Sequence, residues 1–103
     1  MIGVVEAKLP EIREICRRRR VRRLALFGSA VTNRFNAATS DVDLVVEFES
    51  MSPKEHADSY FGALKDFERL FGVPIDLIEP GPIRNPFFKQ ALATSQVVLF
   101  EAA

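Results

Sequence analysis

Asp41-Val42-Asp43-Leu44-Val45-Val46-Glu47-Phe48 is the stretch on which the fold turns. Its branched side chains and partial period-2 alternation predict a strand. Val42, Leu44, Val46 and Phe48 fall on one face, and Asp41, Asp43, Val45 and Glu47 on the other. At a rise of ~3.3 Å per residue, Asp41 and Asp43 project from the same face with Cβ atoms roughly 6–7 Å apart. Two anions that close repel each other, and they persist together most comfortably with a divalent cation between them. Mg²⁺ prefers hard oxygen ligands and leaves room for substrate phosphates.

Before this stretch, Val21-Arg22-Arg23-Leu24-Ala25-Leu26-Phe27 is short, apolar-rich and stopped by Gly28-Ser29, which predicts another strand. A Gly-Ser directly after a strand is either a plain turn or a place where N–H groups face an anion. In the second case Gly28 lets a phosphate approach and the Ser29 hydroxyl adds a donor. Further back, Leu9, Ile12, Ile15 and Cys16 recur at helical spacing, so a first helix runs to about Arg19, with Pro10 in its first turn or kinking it.

After the stretch, Ser52-Pro53-Lys54-Glu55 reads as a helix start, with Ser52 as N-cap, proline at N1 and Glu55 completing a capping box. Ala57, Tyr60, Phe61, Leu64, Phe67 and Phe71 form one helical stripe, and Gly72 suits the left-handed position that ends it. Val73-Pro74-Ile75-Asp76-Leu77-Ile78 predicts a third strand, with the proline at its beginning. Asp76 either faces water on an edge strand or is buried, and burial is costly unless the carboxylate is paired, hydrogen-bonded or bound to metal. Asn85-Pro86 starts a short helix through about Thr94, and Val97-Val98-Leu99-Phe100 closes as a fourth strand or an apolar tail. The order α-β-(turn or helix)-β-α-β-α-β is that of an α/β fold, a small mixed β-sheet packed with helices.

Composition sets the frame. The 103 residues, 48% apolar and 27% charged, suit a single domain spanning 1–103. Cys16 is the only cysteine, which excludes an internal disulfide and a thiolate zinc site and fits a reducing cytosol. No signal-like start or bilayer-length apolar run is present, so a cytoplasmic protein without membrane contact is expected. Net charge is zero, yet residues 1–34 hold nine Lys/Arg against three acids. Arg17, Arg18, Arg19, Arg20, Arg22 and Arg23 read either as a helix end and a solvated strand entry or as a patch for phosphates, nucleic acid or an acidic partner. The balanced total and the lack of aromatic interleaving argue against a dedicated nucleic-acid binder.

Leu26-Phe27-Gly28-Ser29-Ala30 followed by Ser40-Asp41-Val42-Asp43-Leu44-Val45-Val46-Glu47-Phe48 resembles the signature of the minimal nucleotidyltransferases of the DNA polymerase beta superfamily, the MNT proteins found as antitoxins beside HEPN-domain toxins. The resemblance runs from the first helix through the third strand. It implies that Gly28 and Ser29 match the phosphate-binding turn, Asp41 and Asp43 the paired metal ligands, and Asp76 the third carboxylate. Where family members often carry Ala-Arg-Gly, this chain reads Ala30-Val31-Thr32-Asn33-Arg34-Phe35. Arg34 either replaces the missing arginine as a phosphate contact or is a plain loop residue.

The implied chemistry is transfer of AMP from ATP to a hydroxyl, with pyrophosphate leaving and two Mg²⁺ ions as cofactors. Asp41, Asp43 and Asp76 would hold one cation, and Asp41 and Asp43 would share the second with the triphosphate. His56 is not required, and Glu47 either supports the metal shell or is an ordinary surface acid. With no second lobe to hold an acceptor, a partner must complete the site. The resemblance implies a HEPN ribonuclease toxin, modified at a tyrosine, in a homo- or hetero-oligomer. The Phe-rich long helix or Pro86-Phe87-Phe88 would supply docking area, if not core packing. A non-catalytic antitoxin acting by occlusion and a transferase for a small-molecule hydroxyl remain open alternatives.

Overall fold

The computed structural model describes residues 2–27, 42–80 and 96–102. The elements run α1 (Ile2–Ala7), α2 (Leu9–Arg18), β1 (Val21–Phe27), β2 (Val42–Phe48), α3 (Pro53–Phe71), β3 (Ile75–Ile78) and β4 (Gln96–Glu101). The turn or helix expected between the first two strands and the helix expected over 85–94 lie outside the described residues, as do Pro86, Phe87 and Phe88.

The strands form one mixed sheet in the order β3-β2-β1-β4. β1 pairs antiparallel with β2 and β4, and β2 pairs parallel with β3. A parallel pair needs a crossover, and α3 supplies it. Alternation divides the sheet as expected. Leu24, Leu26, Val42, Leu44, Val46, Ile75 and Leu77 join Val5, Ile12, Ile15, Cys16, Ala63 and Phe67 in one buried cluster, which places the three helices on one face. Ala25 and Val45, with Phe27 against them, form a separate small cluster on the opposite face.

α3 starts and stops where its sequence dictates. The Ser52 hydroxyl accepts from the Glu55 N–H at 3.3 Å, and Gly72 ends the helix at φ +70°. The capping box is modified: the Glu55 carboxylate accepts from the Ser52 hydroxyl at 2.8 Å and also pairs with Arg20 at 2.9 Å. These bonds hold the Glu55 carboxyl below its ordinary pKa, that from Ser52 first and that from Arg20 second. The buried stripe is narrower than its apolar content. Phe67 and Ala63 are fully buried, whereas Ala57 is exposed and Phe61 is 60% exposed.

Two boundaries differ from expectation. α1 adds a short helix held by the buried Val5. β3 starts at Ile75 rather than Val73, although the Pro74 carbonyl still accepts from the Val42 N–H at 3.1 Å. Proline has no N–H with which to extend that ladder. Pro10 takes the first-turn position of α2.

The arginine-rich segment is tied down by ion pairs. Arg18 and Arg19 both reach Asp66 on α3, at 3.0 and 2.8 Å, while Arg22 and Arg23 flank Glu47 and Arg23 also meets Glu101 at 3.3 Å. Gly62 makes room for this: a Cβ there would stand 2.5–2.9 Å from three atoms of the Arg19 guanidinium group. Burial alone would raise the Asp66 carboxyl, but the Arg19 and Arg18 hydrogen bonds win and hold it below the ordinary range.

Candidate active site at one end of the sheet

Asp43 on β2 is the Cα partner of Asp76 on β3 and of Phe27 on β1, and Phe27 is in turn the partner of Gln96 on β4. Asp76, Asp43, Phe27 and Gln96 therefore form one row across all four strands. Val42, Leu44, Ile75 and Leu77 point into the helix-side cluster, so the residues between them, Asp43 and Asp76, face the other way. Both keep solvent access: Asp43 is half-buried and Asp76 is exposed.

Adjacent strands lie about 4.8 Å apart. Like charges directly opposite one another on one face are destabilising. A pair of hard oxygen donors at that spacing suits a divalent cation such as Mg²⁺, which is bound through one or two carboxylates and keeps coordination positions for water and phosphate. Among the described residues no group of three metal-ligating side chains comes together. Asp43 and Asp76 are a pair, and Asp41, Gly28, Ser29 and Arg34 lie outside the described residues. Phe27, beside Asp43, is the residue that precedes Gly28 in the chain, so the strand leading to the Gly-Ser segment ends level with the carboxylates.

The rest of this face recedes from chemistry in two steps. The next row is apolar, with Val45 beside Ile78 and Ala25, and Ala25 beside Val98. Beyond it Glu47 is the partner of Arg23, and Arg23 of Glu101. Glu47 is thus occupied by arginines two rows from Asp43. One guanidinium reaches back: Arg23 Nη1 donates to Gln96 Oε1 at 2.7 Å, joining the charged row to the carboxylate row at β4.

Sequence reasoning passed over the contacts behind β3. Tyr60 Oη donates to the Leu77 carbonyl at 2.6 Å, and His56 Nε2 lies 2.6 Å from Glu79 Oε1. The only signal was the spacing of His56 and Tyr60, one turn apart on α3. Cys16 is set apart from the site, buried on α2; burial pushes its thiol up to about 12 despite the nearby Arg17, which keeps the proton on sulfur at neutral pH.

The family described as nucleotidyltransferase domain matches residues 9–99, from the start of α2 into β4, a span that holds both carboxylates of the row. Two Methanocaldococcus jannaschii proteins are similar over 82% of this chain and 90% of their own length. "Putative protein adenylyltransferase MJ1379" is 30% identical over 92 residues, and "Putative protein adenylyltransferase MJ0128" is 32% identical over 94. Solved structures share the fold. One named "Structure of putative minimal nucleotidyltransferase" has a TM-score of 0.67 at 23% identity, covering 92% of each chain. A Shewanella oneidensis complex of tri-AMPylated HEPN toxin with MNT antitoxin gives 0.64 at 14%, covering 95% of this chain and 73% of that one. A toxin-antitoxin structure with AMP-PNP gives 0.69 at 15%, covering 91% and 73%.

Proposed function

We propose, from the premise that this chain belongs to the nucleotidyltransferase domain family, that it transfers AMP from ATP to a hydroxyl of a partner protein and so acts as the antitoxin of a HEPN-domain toxin. The observation that carries this reading is the register of Asp43 with Asp76 beside the end of β1. Support for the acceptor class comes from the two adenylyltransferase relatives and from the fold shared with an antitoxin bound to its AMPylated toxin. Support for ATP comes from the fold shared with the AMP-PNP structure.

In this reading Asp43 and Asp76, with Asp41 two positions before Asp43, are the Mg²⁺ ligands. Bound there, Mg²⁺ would supply charge neutralisation for the triphosphate and would lower the pKa of the attacking hydroxyl. Gly28 and Ser29 grip the distal phosphates through backbone N–H groups and the serine hydroxyl, and Arg34 contacts them. The transferred group needs positioning in line more than covalent help, which suits a site built on strands. In this reading the acceptor is a tyrosine hydroxyl of the partner, and support for a partner-borne acceptor comes from the fold shared with the antitoxin bound to its AMPylated toxin. The complex would assemble in the cytoplasm.

Co-expression with the toxin tests the reading. Asp43→Asn and Asp76→Asn are expected to stay folded and to lose neutralisation. Full neutralisation by both variants would favour occlusion without chemistry, and AMP found on a small metabolite instead of the toxin would favour a small-molecule acceptor.

A further inference from the structure

β3 is a four-residue strand whose only neighbour among the described strands is β2. Its height against β2 decides whether Asp76 stands level with Asp43. A slip of one residue would turn Asp76 to the other face. Two side chains of α3 grip β3 from behind: Tyr60 Oη bonds the carbonyl of Leu77, next in the chain to Asp76, and His56 meets Glu79, just past the strand end. Both rings are themselves seated. Phe48 of β2 lies with its centroid 5.4 Å from His56 and 6.4 Å from Tyr60, and Phe61 meets Tyr60 edge-on at 5.2 Å.

We propose that Tyr60, seconded by His56, is a positioning residue for the carboxylate pair, its hydroxyl fixing the edge strand at the height where Asp76 is level with Asp43. The phenol is suited to a permanent donor role. Burial pushes its pKa up, and the Glu79 and Asp76 carboxylates push it further, so it keeps its proton at neutral pH. The same clamp links the start of α3 to the row of carboxylates. The inference rests on the reading of Asp43 and Asp76 as metal ligands.

The test is Mn²⁺ binding to the full chain, followed by the loss of the free-ion electron paramagnetic resonance signal, together with the melting temperature. Tyr60→Phe keeps the ring and removes only the hydroxyl. The expected result is roughly tenfold weaker Mn²⁺ binding, the scale on which groups behind a metal ligand act, with a melting temperature close to wild type. Lys65→Ala, at an exposed position further along α3 and outside the clamp, should leave affinity unchanged. Equal Mn²⁺ affinity in wild type and Tyr60→Phe would overturn the clamp and leave the site standing. No Mn²⁺ binding by the wild type would overturn the site itself, and the clamp with it. Should Tyr60→Phe fail to fold, His56→Ala, at a half-exposed position, is read in its place: weaker binding supports the clamp and unchanged binding overturns it.

Discussion

Asp43 and Asp76 sit opposite each other in the parallel β2–β3 ladder, two carboxylates on the sheet face that points away from α1, α2 and α3. The fold sets this juxtaposition and does not profit from it, because like charges in register oppose strand pairing.

Asp76→Asn is therefore expected to act on stability and binding in opposite directions. In a chelator, removing one charge should leave the melting temperature unchanged or raise it, by a free energy of up to about 1 kcal/mol. With Mg²⁺ and ATP at ~100 times the dissociation constant, the wild type should gain about 2.7 kcal/mol and the variant much less. Thermal unfolding with and without Mg²⁺-ATP measures both.

The pairing of Asp66 with Arg19 and Arg18 makes part of the stability pH-dependent. The folded carboxyl titrates below its ordinary value. Its contribution is thus present above the unfolded pKa of about 3.9 and is lost as pH falls through the lower folded pKa. Denaturant titration should find Asp66→Asn less stable than wild type by about 1 kcal/mol at pH 7, allowing for solvent screening. The gap should close toward pH 2.

Gly62 and Asp66 should be coupled through Arg19. Gly62→Ala gains about 1 kcal/mol of helix propensity but drives the Arg19 guanidinium from its place over the helix. In a double-mutant cycle, Asp66→Asn should cost less in the Gly62→Ala background than in wild type, by about 0.5 kcal/mol or more. Strict additivity would show that Arg19 reaches Asp66 just as well past an alanine.

Phe67 and Phe61 carry opposite expectations although both stand on α3. Phe67→Ala empties a fully buried position and should cost about 3–5 kcal/mol, a large share of the ~5–15 kcal/mol that holds a domain together. Phe61→Ser, at a ring 60% exposed whose edge-on contact is with Tyr60, should cost only about 1 kcal/mol. Urea denaturation of the two variants separates core from surface.

How far the fold could be read ahead depended on whether the deciding interaction was local. Ser52, Pro53 and Gly72 fix the ends of α3 within a turn of chain, and both ends were legible. The alternation of β2 likewise foretold its two faces. α1 was not legible, since six residues make a marginal helix alone and Val5 is held by tertiary packing. The arginine run allowed two readings because its partners, Asp66, Glu55, Glu47 and Glu101, are far away in sequence. The helical stripe was read too wide, since periodicity marks apolar residues and not which of them meet the sheet. For the candidate site, the residue types and their order are read from the sequence and stand as a proposal, whereas the register of Asp76 with Asp43 is a strand pairing that only the folded sheet supplies. Asp41, Gly28, Ser29 and Arg34 lie outside the described residues and rest on proposal.

The most direct measurement is mass spectrometry of a HEPN-type partner after incubation with the purified chain, ATP and Mg²⁺. The expected result is the addition of AMP units at tyrosine by the wild type, at least a hundredfold slower with Asp43→Asn or Asp76→Asn and absent in a chelator, on the scale that loss of an essential electrostatic group carries (about 10²–10³). Modification at the wild-type rate by folded Asp43→Asn and Asp76→Asn variants would contradict the account, because catalysis would then not depend on the two carboxylates that the sheet brings level.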